Sequence, residues 1–298
     1  MMQVATSLFY DRNAAAMQAL QSHADTLNTQ VATGKKLTSA SDDAVAYQTL
    51  RGIATDTAND TAYKGNLTLA GSLLTQTDTT LGAINTQLQQ ASSLVLQARN
   101  GTQTADSRKI IGQQLAGIAD SIAALANGKD ARGQPIFGDA NGGAAITKNA
   151  DGSYTYATTT GSPIPVGEGQ TVQTGDTAAR VLTFGGKDTL GVLSTLAASL
   201  QAGTATDGEM GQAITDLTSA GTQVSDVQAS VGARGARVDI LQSTLTTTAN
   251  DRETLRSGLE DTDTTAALAE LSKTMTILSA TQASFTKLSS LSLFDYLK

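Results

Sequence analysis

Few side chains in this 298-residue chain could do chemistry, and the missing types settle much of the question. There is no Cys and one His, His23. A thiolate nucleophile, a thiol zinc site, an iron–sulfur cluster and a CxxCH haem attachment all need the absent cysteine, and a zinc site of two or three histidines needs more than one. His23 could complete a Ser-His-Asp arrangement only by leaving the helical face on which it neighbours Ala24, so it reads as a helix-flank residue. Asp42 and Asp43 could do acid–base work in a metal-assisted hydrolysis, or hold calcium. Their placement in the first turn of a helix with Ser41 as its N-cap explains both without a further group. Glu260, Asp261 and Asp263 read as a solvated turn before a helix, because a calcium loop needs ligands at alternating positions and a Gly bend. Arg234 and Arg237, within Val231-Gly232-Ala233-Arg234-Gly235-Ala236-Arg237, imitate a phosphate loop. No strand precedes them and a helical seam runs through, so the glycines read as close helix packing. Tyr154 and Tyr156 alternate along one strand face and form the one obvious aromatic pair on which a sugar ring could stack. No catalytic residue, cofactor or metal ligand is therefore expected, and ligand binding at Tyr154 and Tyr156 is the reading from another functional class.

The net charge of −7 and isoelectric point near 4.7 argue against a nucleic-acid partner, whose affinity comes largely from Lys and Arg neutralising phosphates. No apolar run approaches the roughly 20 residues that cross a bilayer, so no membrane insertion is expected. Residues 1–12 lack the basic-then-apolar order of a signal peptide, so export would need another route. The absence of Cys is compatible with export, since such a chain cannot form wrong disulfides outside the cell.

The elements that would carry these residues are mostly helical. The first run places Tyr10, Asn13, Met17, Leu20, Ala24, Leu27 and Val31 in alternating steps of three and four, a coiled-coil seam. Gly34 ends it, a C-cap type with no Cβ to clash, and Lys35 and Lys36 suit a helix C-terminus. The next helix carries Leu50 and Ile53 into a longer seam: Leu67, Ala70, Leu74, Thr77, Leu81, Ile84, Leu88, Ala91 and Val95. From 42 to 99 it would run about 85 Å at 1.5 Å per residue, a rod that needs a partner helix along its seam. Asn100-Gly101 breaks the run. Ile110, Ile111, Leu115, Ile118, Ile122 and Leu125 then form a second amphipathic stretch that stops at Asn127-Gly128.

Between about 133 and 186 the pattern changes to Gly, Thr and alternation, with all three prolines, Pro135, Pro163 and Pro165. Residues 145–157 predict a hairpin around Asn149-Ala150-Asp151-Gly152, and residues 180–184 a further strand. A helix over 189–201, closed by Gly203, ends this insert. The return leg restores the seam with Val224, Val227, Val231, Arg234 at an interior position, Val238, Leu241, Leu245 and Thr248. The last run is Leu268, Leu271, Met275, Leu278, Gln282 and Phe285. The expected fold class is mainly α with a small β-containing insert. The N- and C-terminal halves form a long antiparallel coiled-coil or helical-bundle rod, with an α+β middle domain at the far end. The expected segments are an N-terminal assembly helix (1–41), the N-terminal half of the rod (42–132), a β-rich middle domain (133–205), the C-terminal half of the rod (206–262) and a C-terminal assembly helix (263–298). The two end seams have less to pack against than the middle ones, which favours contact between subunits. The candidate assembly residues are Met17, Leu20, Leu27, Val31, Leu268, Leu271, Met275, Leu278, Phe285 and Leu288.

Val31-Ala32-Thr33-Gly34-Lys35-Lys36-Leu37, followed by Ser39-Ala40-Ser41-Asp42-Asp43-Ala44, resembles the N-terminal signature of the flagellin family. Gln97-Ala98-Arg99-Asn100-Gly101-Thr102 is similar to the family's next marker. The resemblance covers roughly 2–138 and 224–298 and is weaker in the insert, at Gly167-Glu168-Gly169-Gln170-Thr171-Val172. The run from Leu125 to Gly138, including Asn127-Gly128-Lys129-Asp130-Ala131-Arg132-Gly133-Gln134-Pro135-Ile136-Phe137, and the ending Leu291-Ser292-Leu293-Phe294-Asp295-Tyr296-Leu297 are closer to the branch at the hook–filament junction than to filament flagellins. Ala40 and Ala44 stand where that branch often carries proline, so the filament branch stays the alternative. The resemblance implies a non-enzymatic structural subunit, exported unfolded through the flagellar type III channel and assembled outside the cell. Its terminal helices would be disordered in the free monomer and form an inner coiled-coil tube in the assembly, with the middle domain outward. The implied partners are copies of itself, a neighbouring hook-associated protein, filament flagellin and an export chaperone. A cell-surface homologue with an added polysaccharide-binding role is the remaining alternative.

Overall fold

The computed structural model describes residues 2–130, 132–138 and 142–295, with side chains described between 8 and 287 of those spans. Its elements run α1 (Met2–Thr33), α2 (Ala44–Arg99), α3 (Ala105–Ala126), β1 (Ile146–Lys148), β2 (Tyr154–Tyr156), β3 (Ile164–Gly167), β4 (Gln170–Val172), α4 (Ala178–Leu182), β5 (Thr183–Phe184), β6 (Lys187–Asp188), α5 (Thr189–Ala202), α6 (Asp207–Glu260) and α7 (Thr264–Asp295). The strands form three separate antiparallel pairs, β1–β2, β3–β4 and β5–β6. The molecule is thus mainly helical with a small β-containing middle region, as its periodicity predicts.

The helices are rich in Thr, whose hydroxyl ordinarily competes with helical hydrogen bonding. Here Thr49, Thr55, Thr68, Thr75 and Thr86 on α2 each donate that hydroxyl to the carbonyl four residues back, so the side chain joins the helix ladder. Helix starts follow local chemistry. Thr104 accepts from the Ser107 amide at the start of α3, and Asp188 from the Leu190 amide at the start of α5. Thr206 and Glu209 form a reciprocal capping box before α6. Gly203, at φ +73°, closes α5 in the left-handed conformation that glycine adopts without a Cβ clash. The expected N-cap Ser41 is corrected to Asp43. Residues 39–42 make a turn, and the Asp43 carboxylate accepts from the Val45 and Ala46 amides.

Two compact units emerge, residues 1–58 with 248–298 and residues 59–247. The second unit holds a continuous core. Leu67, Ala70, Leu74, Leu81, Ile84, Leu88, Ala91 and Val95 of α2 are buried, as are Met210, Leu217, Val224, Val227, Val231 and Val238 of α6. Helix α3 packs on α5, close enough at Gly112 that an added Cβ would lie 2.8 Å from the Ala197 carbonyl oxygen. Within this unit the strand-bearing insert is hydrogen-bonded to side chains of α2 and α6. Asn66 donates to the Pro165 carbonyl (2.8 Å), Thr77 to that of Thr174 (3.4 Å) and Gln223 to that of Arg180 (2.7 Å). The strand expected over 180–184 is corrected to α4 followed by a two-residue strand. Thr177 caps the turn by accepting from the Arg180 amide, which starts a helix where β-branched residues suggested extension.

In the first unit α1 and α7 pack antiparallel. Tyr10, near the start of α1, meets Phe285, near the end of α7, edge to face at 5.3 Å between ring centroids. At the other end the two loops clasp each other. The Lys36 amide donates to the Glu260 carbonyl (2.7 Å), the Thr262 amide to that of Gly34 (2.9 Å), and Lys35 pairs with the Glu260 carboxylate.

Candidate assembly interface

The α1–α7 pair has a thin core of its own. Ala24, Leu27, Ala267, Thr274 and Leu278 are its buried side chains, flanked by half-buried Tyr10, Met17, Leu20, Val31, Leu271, Thr281 and Phe285. On α1 the contact follows the seam read from the sequence. On α7 it does not. Ala267, Thr274 and Thr281 take the places expected for Leu268, Met275 and Gln282, which turns the contact face by about 50°, half of one residue's step around a helix. The physical reason is close approach: small Ala and Thr let the helices come together, and the larger neighbours are turned out. Leu268 and Met275 are accordingly 56% and 49% exposed.

Exposed apolar side chains accumulate in this unit. Leu8 and Phe9 on α1, Val45 at the start of α2, Leu255 near the end of α6, and Leu268, Met275 and Ile277 on α7 are all open. Leu8, Phe9, Val45, Leu255 and Ile277 were not among the sequence candidates. They stand off the alternating three-and-four seams that served as the signal, so periodicity could not select them. Of the sequence candidates, Leu27 and Leu278 are buried within the pair, Met17, Leu20, Val31, Leu271 and Phe285 are half-buried, and Leu268 and Met275 face outward. The Leu288 side chain and the ending around Tyr296 and Leu297 lie outside the described residues.

The polar candidates are engaged in holding turns. The Asp42 carboxylate accepts from the Thr38 and Ser39 amides (both 2.9 Å), and those amides, with the two hydroxyls, hold it below the usual carboxylate range. Asp263 caps α7 through the Thr265 and Ala266 amides. Lys35, then Arg256, lowers the Glu260 carboxyl, and the Ser257 hydroxyl, ahead of Arg256, lowers that of Asp261. His23 is exposed beside the buried Ala24. Among the described residues no three His, Cys, Asp or Glu side chains converge as a metal site, and no helix is long and apolar enough to cross a membrane.

Arg234, interior in the sequence reading, donates to the Gly175 carbonyl (3.1 Å) and to the Asp176 carboxylate (2.9 Å), so it ties the insert to α6. Asp176 is buried and also receives Arg180, while Lys187 grips Asp216 through both carboxylate oxygens at 2.7 Å. Sequence spacing alone gave no signal for the Lys187–Asp216 and Arg234–Asp176 pairs, which join residues 29 and 58 positions apart. Tyr154 and Tyr156 do share the half-buried face of β2. The Tyr156 hydroxyl donates to Asp188, the cap of α5, and burial followed by that carboxylate pushes its phenol up. The Tyr154 ring lies under the Lys148 ammonium, 5.7 Å from the centroid.

A chain whose core lies in its middle, and whose terminal helices form a thin pair with apolar side chains turned outward, defines a helical subunit that presents its two ends together. Residues 2–141 match the bacterial flagellin N-terminal helical region, and residues 214–297 the bacterial flagellin C-terminal helical region. The chain belongs to the bacterial flagellin family. It is 25% identical over 315 residues to flagellar hook-associated protein 3 of Salmonella typhimurium, with 99% of each chain covered, and 25% identical to the Escherichia coli protein of that name over the full length of both. Among solved structures it is similar in fold to a putative flagellar hook-associated protein from Vibrio parahaemolyticus (TM-score 0.68, 21% identity, 74% of this chain and 100% of that one). It is also similar to the flagellar junction protein of Legionella pneumophila (TM-score 0.60, 12% identity, 72% and 100%).

Proposed function

We propose that this chain is a structural subunit of the bacterial flagellum that joins hook to filament. It would do so by packing its terminal helices on neighbouring copies, on the adjoining hook-associated protein and on filament flagellin. The observation that carries the reading is the apolar surface left open on α1 and α7, in a chain alignable over its whole length with hook-associated protein 3 of two bacteria. Removing apolar surface from water is worth about 25 cal/mol per Å², so outward Leu and Met side chains favour a neighbouring helix over solvent. Leu268 and Met275 would make the new contacts, and Leu27 and Leu278 would hold the pair that presents them. The role is non-catalytic, and it is exercised outside the cell.

Electron microscopy of the purified protein with isolated hook fragments, followed by added flagellin, tests this directly. The expected result is hook ends capped by this protein, from which flagellin then grows. Long filaments of this chain alone would make it a filament flagellin, and hook ends left bare would overturn the junction role.

A further inference from the structure

The corner between α2 and α3 carries an Asn–Gly step that the assembly role does not use. We propose that Asn100–Gly101 is a site of spontaneous covalent modification, in which the Gly101 amide nitrogen attacks the Asn100 side-chain amide. The N–Cγ bond forms, the Cγ–Nδ2 bond breaks, and the nitrogen leaves as ammonia with the proton lost by Gly101. The resulting five-membered succinimide then takes up one water and opens to aspartate or isoaspartate. The sequence is redox-neutral and needs only water.

The geometry supplies each requirement. Asn100 Oδ1 accepts from the Thr102 amide (3.2 Å) and the Thr102 hydroxyl (3.0 Å), an Asx turn that folds the side chain over the Gly101 peptide. Two donors on that oxygen stabilise the negative charge it gains when Cγ is attacked. Neither Asn100 Nδ2 nor the Gly101 amide has a hydrogen-bond partner among the described residues, so leaving group and nucleophile are both free. Residues 100–102 are exposed, which admits water.

A second Asn–Gly step on the same molecule is the internal control. Asn127 is locked at both ends of its side chain, since Nδ2 donates to the Ile146 carbonyl (3.0 Å) and Oδ1 accepts from the Ile146 amide (2.9 Å). Its successor Gly128 already donates its amide to the Leu125 carbonyl at 3.1 Å. The sequence is the same dipeptide, and the structure withholds every atom the reaction needs.

The test is incubation of the full-length protein at mildly alkaline pH, with peptide mass mapping that resolves Asn, Asp and isoaspartate at positions 100 and 127. Asn100 is expected to convert to a mixture containing isoaspartate while Asn127 stays an amide, and the two should converge when the chain is unfolded in denaturant. Gly101→Ala provides the variant, because a Cβ there meets nothing within 4 Å and the backbone conformation is one that any residue adopts. It should slow conversion at Asn100 about tenfold, the factor that ~1.4 kcal/mol of added barrier produces. Equal rates at the two sites in the folded protein, faster conversion at Asn127, or an unchanged rate in Gly101→Ala would each overturn the proposal.

Discussion

In residues 59–247 most apolar side chains of α2, α3, α5 and α6 close on one another; Leu67, Leu81, Leu115, Ile122, Leu190 and Leu193 are fully buried, and Leu96, Ile110 and Ile240 are the large ones left exposed. In residues 1–58 and 248–298 the buried apolar side chains among those described are Ala24, Leu27, Ala46, Ile53, Ala267 and Leu278, and larger ones face solvent. The difference separates two tasks that most domains combine. One unit stabilises the fold from within, and the other leaves apolar surface open, which in the proposed role a neighbour would cover and stabilise by mass action.

Substitutions should divide along the same line. Leu115→Ala, at a fully buried position of α3, is expected to lower unfolding stability by about 2–5 kcal/mol in denaturant titrations. Arg234→Met should cost about 1–3 kcal/mol in the same titration, because it removes one of two cations from the buried Asp176 carboxylate and leaves the Gly175 carbonyl without that donor. If either change left stability untouched, the unit would not depend on its own core as described.

The clasp between the α1–α2 and α6–α7 loops sharpens the comparison through pH. Glu260 and Asp261 sit below their ordinary values of 4.5 and 3.8, so their contribution is present above that range and is lost as pH falls through the lowered values. The protection factors of the Lys36 and Thr262 amides should therefore fall on acidification below the ordinary carboxylate range, and Lys35→Met should move that onset upward by removing the strongest influence on Glu260. Protection factors that stay flat with pH would show that the backbone pairing holds without the charges. The smallest effect on stability is expected at the outward face. Leu268→Asp with Met275→Asp should shift unfolding by no more than about 0.5 kcal/mol per site, yet abolish attachment to hook ends.

How far the sequence could be read follows the same division. The α2 seam from Leu67 to Val95 was legible because one face of a long helix is buried throughout, and every residue of that seam, including Thr77, is buried. The hairpin of Ile146–Lys148 with Tyr154–Tyr156 was legible from its turn, where Gly152 adopts a φ of +85°. On α7 the reading chose the largest apolar residues, whereas close approach selected Ala267 and Thr274. The β3–β4 pair escaped notice as strands, since Pro165 sits inside one and a bulge interrupts its register. The ties from Arg234 to Asp176 and from Lys187 to Asp216 depend on how the insert folds back, which no local pattern encodes.

The most direct measurement is amide hydrogen exchange on the full-length protein, free in solution and then docked on hook ends. The account predicts that α1 and α7 exchange about 100-fold faster than α3 and α5 in the free protein, and that docking slows them while the middle unit stays unchanged. Equal protection of all four helices in the free protein, or no slowing of α1 and α7 on docking, would contradict it.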